Sequence, residues 1–195
     1  YCTFVPWNWY FLKIILNTST FFCEAKTFVT IGTFDGVHFG HQKIIERVVS
    51  EAKIAQKKSV ALTFFPHPRM VLQKDSSVKL INTIDERSAL LEKTGLDYLI
   101  IHPFSKEFSR MTALEFVKDI LVNQLNISKL IIGYDHHFGK NREGNINQLT
   151  EYSDLYDFKL TEIPAQDIDE VFVSSTKIRN ALNAGDLKTA NHYLR

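Results

Sequence analysis

Residues 28–55 read FVTIGTFDGVHFGHQKIIERVVSEAKIA, and the reading of this stretch decides the fold. Phe28, Val29, Thr30 and Ile31 are aromatic or β-branched, the residue types of a short buried strand. Gly32, Gly36 and Gly40 then punctuate the chain where its backbone must turn sharply or approach something closely. Ile44, Ile45, Val48, Val49 and Ala52 follow at helical spacing and give a helix with one apolar face. Strand, tight turn and helix in that order set His38 and His41 at the mouth of the helix. First-turn N–H groups and the helix dipole favour an anion there, and two imidazoles add further donors. The stretch is a phosphate site in outline.

Outward from it, the same alternation continues. Residues 58–65 (KSVALTFF) read as a second strand, stopped by Pro66-His67-Pro68, which predicts a rigid extended loop. Thr83 and Glu86 form a capping box opening a helix through Leu90 and Leu91, and residues 98–101 are a third strand. A second box, Thr112 and Glu115, opens a helix expected to present Leu114, Val117, Ile120 and Leu121 on one side. Residues 129–133 make a fourth strand, a helix covers 146–156, and strands follow at 158–163 and 171–173. Ser174-Ser175-Thr176 starts a helix through Leu182, and Asp186 caps a last one reaching Leu194. Strands alternating with helices predict a parallel sheet covered on both faces, with ligands beyond the carboxyl ends of the strands. Each candidate motif follows a strand.

Composition narrows the function classes. The chain has 195 residues with 23 basic against 22 acidic, so neither charge nor length suggests a nucleic-acid partner or several domains. The two cysteines, Cys2 and Cys23, lack metal-like spacing and suit a cytoplasmic setting. The longest apolar run near the start, Tyr10 to Leu16, is interrupted by Lys13 and is too short to span a membrane. Composition is silent on the oligomeric state.

Three further segments carry chemistry-bearing residues. Thr63-Phe64-Phe65-Pro66-His67-Pro68 ends a strand with two flat aromatic rings and rigid punctuation. Asp135-His136-His137 offers metal-ligand types, but consecutive side chains point in different directions and make poor common ligands. Ser175 and Arg179 lie one helical turn apart on one face, and the guanidinium fork binds phosphate oxygens in pairs.

The string from Gly32 to His41 fills every specified position of G-x-F-D-G-x-H-x-G-H. It resembles the signature of the nucleotidylyltransferase superfamily in the form found in bacterial FAD synthetases, the FMN adenylyltransferase module of the bifunctional riboflavin kinase/FAD synthetase family. Thr63–Pro68 is similar to that family's S/T-F-x-P-H-P segment. Gly133-x-Asp135-x-x-Phe138-Gly139, with Gly144, resembles its G-x-[DN]-x-x-F-G-x-x-x-x-G loop, and Ser174–Arg179 its S-S-T-x-I-R helix start. One position departs: where many relatives carry a basic residue ahead of the last motif, this chain has Phe172.

The resemblance implies a Rossmann-like α/β fold, the nucleotidylyltransferase fold, over residues 28–195, and the reaction of FMN with ATP to give FAD and pyrophosphate, with magnesium (Mg2+). It implies catalytic roles at the phosphates for His38, His41, Ser175, Thr176 and Arg179. ATP contacts are expected from Gly32, Phe34, Asp35, Gly36, Gly40, Asp135 and Lys177. Flavin contacts are expected from Phe64, Phe65, Pro66, His67, Pro68 and Phe138, and no metal ligand is assigned. For Asp35 three roles stay open: the nucleotide, a magnesium-bound water, or the loop itself. Residues 1–27 stand outside the resemblance as an atypical extension, with 11–16 expected as an added strand and the residues before it as a poorly ordered or non-native extension. The C-terminal riboflavin kinase domain of the family is expected to be absent. Rival readings are a metal-dependent phosphoesterase built on Asp135, His136 and His137, and a flavin- or nucleotide-binding module without turnover.

Overall fold

Alternating apolar side chains on each central strand send one set to either side of the sheet. Val29 and Ile31, Val60 and Leu62, and Ile100 face one core, whereas Ala61 and Leu99 face the other. The computed structural model describes residues 11–72, 78–134, 136–140, 143–164 and 173–194. Its strands are β1 (Lys13–Ile15), β2 (Thr27–Ile31), β3 (Lys58–Phe65), β4 (Tyr98–Pro103), β5 (Ile127–Gly133) and β6 (Lys159–Ile163). They form one sheet in the order β1-β4-β3-β2-β5-β6, with every pairing parallel. The parallel sheet covered on both faces that the alternation predicts, and the Rossmann-like fold that the resemblance implies, are the observed ones.

The described helices are α1 (Phe39–Ile54), α2 (Pro68–Leu72), α3 (Ile84–Glu92), α4, α5 (Ile146–Leu155), α6 (Ser175–Asn183) and α7 (Leu187–Leu194). α4 begins as Ala113–Glu115 and runs on as a wider π-type helix, Phe116–Gln124, whose end is marked by the Leu125 N–H donating to the Ile120 carbonyl. Phe116, Val117, Ile120 and Leu121 of α4 cover one face of the sheet, with Leu125, Phe138, Leu149 and Phe158. Ile45 of α1 and Leu91 of α3 cover the other, with Phe34, Val37 and Leu96. Both expected capping boxes form, each threonine hydroxyl accepting a backbone N–H and each glutamate reaching back to the threonine N–H.

Two expectations change in detail. Leu114 is 42% exposed, because the buried stripe of α4 runs through Ala113, Phe116, Val117, Ile120 and Leu121 and leaves Leu114 one position off it. Pro66-His67-Pro68 is not an extended loop: the Phe65–Pro66 bond is cis, and Pro68 opens the short α2, where a fixed φ and a missing N–H suit a first helical position. The segment ahead of Phe28 contributes β1, paired with β4, and also Phe21, buried in the main core with its ring 5.1 Å from Tyr98. Of the strand expected at 171–173 only Val173 lies among the described residues, and it is not in a strand.

Topology places the crevice. From β2 the chain steps through β3 to β4, then crosses back to β5 on the other side of β2 and on to β6. The order therefore switches between β2 and β5. Loops leaving those two strands flank the place where open parallel sheets bind ligands.

Candidate active site

The turn after β2 is strained. Phe34, Gly36 and Val37 have φ of 48°, 86° and 40°. Glycine adopts this left-handed region freely, but a β-branched valine there is a genuine outlier, and each such residue costs about 1–3 kcal/mol. Burial holds the two side chains in place, Phe34 at 1% and Val37 at 2% exposure in the α1/α3 core. The Val37 N–H donates to the Phe34 carbonyl at 3.0 Å and closes the turn.

Asp35, at the tip, faces inward and is fully buried. Its Oδ1 accepts from the Ile81 N–H at 2.9 Å, the Asn82 N–H at 3.4 Å and Nη2 of Arg87 at 3.4 Å. Its Oδ2 accepts from Nη1 of Arg179 at 2.6 Å, and its main-chain carbonyl from the Ser175 hydroxyl at 2.9 Å. One residue thus ties the β2 turn to the segment before α3, to α3 and to α6. These bonds are those of a residue that holds the loop, one of the three roles expected for Asp35.

α1 opens on His38, whose Nδ1 accepts from the His41 N–H at 3.4 Å. A nitrogen that accepts carries no proton, so neutral His38 holds its proton on Nε2. The two rings stack with centroids 3.6 Å apart and 17° between planes, and His41 meets the edge of Phe34 at 5.4 Å. Burial holds the His41 pKa well below its usual value, and the neighbouring His38 ring and the Arg87 guanidinium push it the same way. Gly40 is buried inside this first turn. Gly32 packs so closely under the Phe34 ring that a Cβ would meet it at 3.0 Å.

The α6 mouth completes the polar half. Ser174 caps the helix by accepting the Lys177 N–H at 3.3 Å. Ser175 and Arg179 turn toward Asp35, while Thr176 and Lys177 are exposed at the same helix end. His67 joins this half rather than an aromatic wall. It is buried, its Nδ1 accepts the Arg69 N–H at 3.2 Å, and its pKa falls to about 4. Burial is the main cause, with Arg179, Arg87 and Arg69 adding to it and Asp35 opposing.

The other half is aromatic. Phe64, at the end of β3, lies 5.7 Å from both Phe104 and Phe108, and Phe108 lies 6.2 Å from Phe116. Phe65 is 42% exposed and faces outward. Phe138 is only 8% exposed, 5.6 Å from Phe116 and stacked on His136, so it backs the row from the core side. It also explains Gly144. The two residues form an antiparallel bridge, and a Cβ on Gly144 would come within 2.6 Å of the Phe138 ring.

Asp135 and Phe172 lie outside the described residues. His136 is half-buried against Phe138 and His137 is exposed, so the two point apart. Among the described residues no three His, Cys, Asp or Glu side chains converge as a metal cage, and the Asp35 carboxylate is already occupied by two arginines. Their donor set does not fit a protein-held Mg2+.

Sequence reading missed Arg87, Phe104 and Phe108. Arg87 carries a legible signal: it stands four residues before the buried Leu91 and so shares the inward face of α3.

These features define a doubly wound α/β protein with an anion-receptive, strained turn at its switch point. A family model described as FAD synthetase matches residues 22–177, and the chain belongs to that family. The bifunctional riboflavin kinase/FMN adenylyltransferase of Buchnera aphidicola subsp. Schizaphis graminum is 35% identical over 172 residues, 88% of this chain and 55% of that protein. The FAD synthetase of Listeria monocytogenes is 32% identical over 167 residues, 85% of this chain and 67% of that protein. The chain spans about half the length of the bifunctional relatives. A Streptococcus pneumoniae crystal structure described as a macrolide-efflux protein superposes with a TM-score of 0.82 at 26% identity, covering 94% of this chain and 60% of that one. No helix among the described residues is long and apolar enough to cross a membrane.

Proposed function

We propose that this chain transfers the adenylyl group of ATP to FMN, giving FAD and pyrophosphate. The observation that carries the reading is that Asp35, in the turn that leads into the His38/His41 mouth of α1, is bonded to Ser175 and Arg179 of α6. Two positive helix ends converging on the switch point suit a polyphosphate far better than a single neutral ligand. Family membership and the names of the relatives agree with it.

The chemistry needs no protein nucleophile. The phosphate monoester of FMN has a second pKa of about 6, so at neutral pH it is already anionic and can attack the α-phosphorus directly. The bond to the bridging oxygen breaks, and pyrophosphate leaves with the electron pair. The protein's task is alignment and stabilisation of charge. His38, through Nε2–H, and His41 donate to the ATP phosphates. Arg179, with Ser175, Thr176 and Lys177, steadies the departing pyrophosphate. Phe64 and Phe65, with Pro66 and Pro68, offer the flavin a flat surface, and Phe104 and Phe108 extend it. Magnesium would serve as the counter-ion of the ATP substrate rather than as a metal held by the protein, and a cytoplasmic setting would supply both substrates.

Incubation with ATP, magnesium and FMN tests the proposal: FAD and pyrophosphate should appear in equal amounts. FMN should be adenylylated and nicotinamide mononucleotide left untouched. Comparable rates with both would remove the flavin assignment, and no product with either would remove the transferase.

A further inference from the structure

Arg87 is 1% exposed, sits on the inward face of α3, and its Nε has no acceptor among the described residues. An arginine this buried needs a reason, since an uncompensated buried charge is strongly destabilising. Its partner is Asp35, and Asp35 has a second arginine. Two guanidinium groups therefore meet one carboxylate. They differ in access: the Arg179 side chain is 15% exposed at the crevice, whereas Arg87 is sealed behind the turn. Of the histidines in electrostatic reach of the cluster, His67 has a pKa of about 4 and His41 is held well below its usual value by burial, so neither adds charge at neutral pH. The cluster is left with positive charge in excess, and only Arg179 can present it to the crevice.

We infer that Arg87 is a positioning residue for ATP: by neutralising Asp35 from behind, it leaves the charge of Arg179 as surplus for the triphosphate. This rests on the adenylyl-transfer reading for the identity of the anion. Arg87 touches no substrate and acts through Asp35. Without it Arg179 would be the sole counter-charge of a buried carboxylate, and an incoming triphosphate would compete with Asp35 for one guanidinium.

The test is a charge-balance series, read by calorimetric titration with magnesium–ATP alone and by thermal melting. Arg87→Lys keeps the charge and should bind ATP within about threefold of the wild type. Arg87→Met should weaken ATP binding by at least about tenfold, because the remaining arginine is claimed by a buried carboxylate. Adding Asp35→Asn to Arg87→Met removes that carboxylate's charge, frees Arg179, and should return affinity to within about threefold of the wild type. A residue that only braces the fold would show no such recovery. Wild-type affinity in Arg87→Met, or a double variant that binds no better than the single one, overturns the inference. If Arg87→Met fails to fold, the double variant must regain both a cooperative melt and ATP binding; a double variant that stays unfolded also overturns it. Because no FMN is present, a wild type that binds ATP but makes no FAD would sink the transfer reading while leaving this series decisive. A wild type that does not bind ATP would sink both.

Discussion

The two halves of the crevice are built on opposite principles. The half around Asp35 is made of buried charge: a carboxylate with no exposure, a sealed Arg87, a partly open Arg179, and histidines held neutral by burial. The half at the ends of β3 and β4 is made of rings, Phe64, Phe104 and Phe108, spaced 5.7 Å apart. Charge in a low-dielectric setting is directional, strong and intolerant of a missing partner. Aromatic contact is broad and weak per pair, about 0.5–1.5 kcal/mol beyond area, so it degrades gradually. The polar half should therefore fail abruptly when altered, and the aromatic half should fade.

The largest expected effect is on Asp35. Asp35→Ala strands a buried arginine and unties the turn from α3 and α6, so about 3–5 kcal/mol of stability should be lost together with activity. Denaturant melts check it; a variant as stable as the wild type would show that the carboxylate is not the hub.

Next come the side chains proposed as donors to the phosphates. His41→Ala and Arg179→Ala should each slow FAD formation by about 10²-fold or more while keeping a cooperative melt, the scale for removing one preorganised donor. His137→Ala, an exposed side chain on the loop after β5, should change the rate little. Collapse of activity in His137→Ala with a normal His41→Ala would favour the metal-phosphoesterase reading instead.

On the aromatic side, Phe108→Ala should raise the KM for FMN by roughly 3–10-fold and leave the KM for ATP unchanged. An equal rise in both constants would mean that the two halves do not divide the substrates.

The last effect is one of pH. His67 ordinarily titrates near 6.5 and in the fold near 4, so the unfolded chain binds its proton first as pH falls. The stability it contributes is fully present above about 6.5 and is lost as pH drops toward 4, at up to about 1.4 kcal/mol per pH unit. Wild-type protein should lose more stability between pH 7 and 5 than His67→Gln, measured by melts at both values. Identical slopes would remove His67 from the buried polar cluster.

Much of this comparison was legible in the sequence, and its limits follow from physics. The strand–turn–helix at 28–55 could be read because β-branching, glycine spacing and helical periodicity are local signals, as are the two capping boxes. The meeting of Ser175 and Arg179 with Asp35 could not, since it joins residues 140 and 144 apart in sequence. A carboxylate in a glycine-rich turn reads as surface, yet Asp35 is the most deeply held polar group of the site. Arg87 was passed over because a charged residue in an amphipathic helix is assigned outward by default, although its spacing to Leu91 pointed inward. Phe104 and Phe108 escaped notice because the third strand was ended at Ile101, two residues before the observed β4 stops at Pro103.

Single-turnover transfer from ATP labelled at the α-phosphorus tests the central claim most directly, because it follows the one bond that the crevice is proposed to move. With this chain, magnesium and FMN, the label should pass into FAD with no labelled protein at any time point, and unlabelled pyrophosphate should appear at the same rate. Label trapped on the protein, or released as AMP without FAD, would contradict direct adenylyl transfer between the two halves of this site.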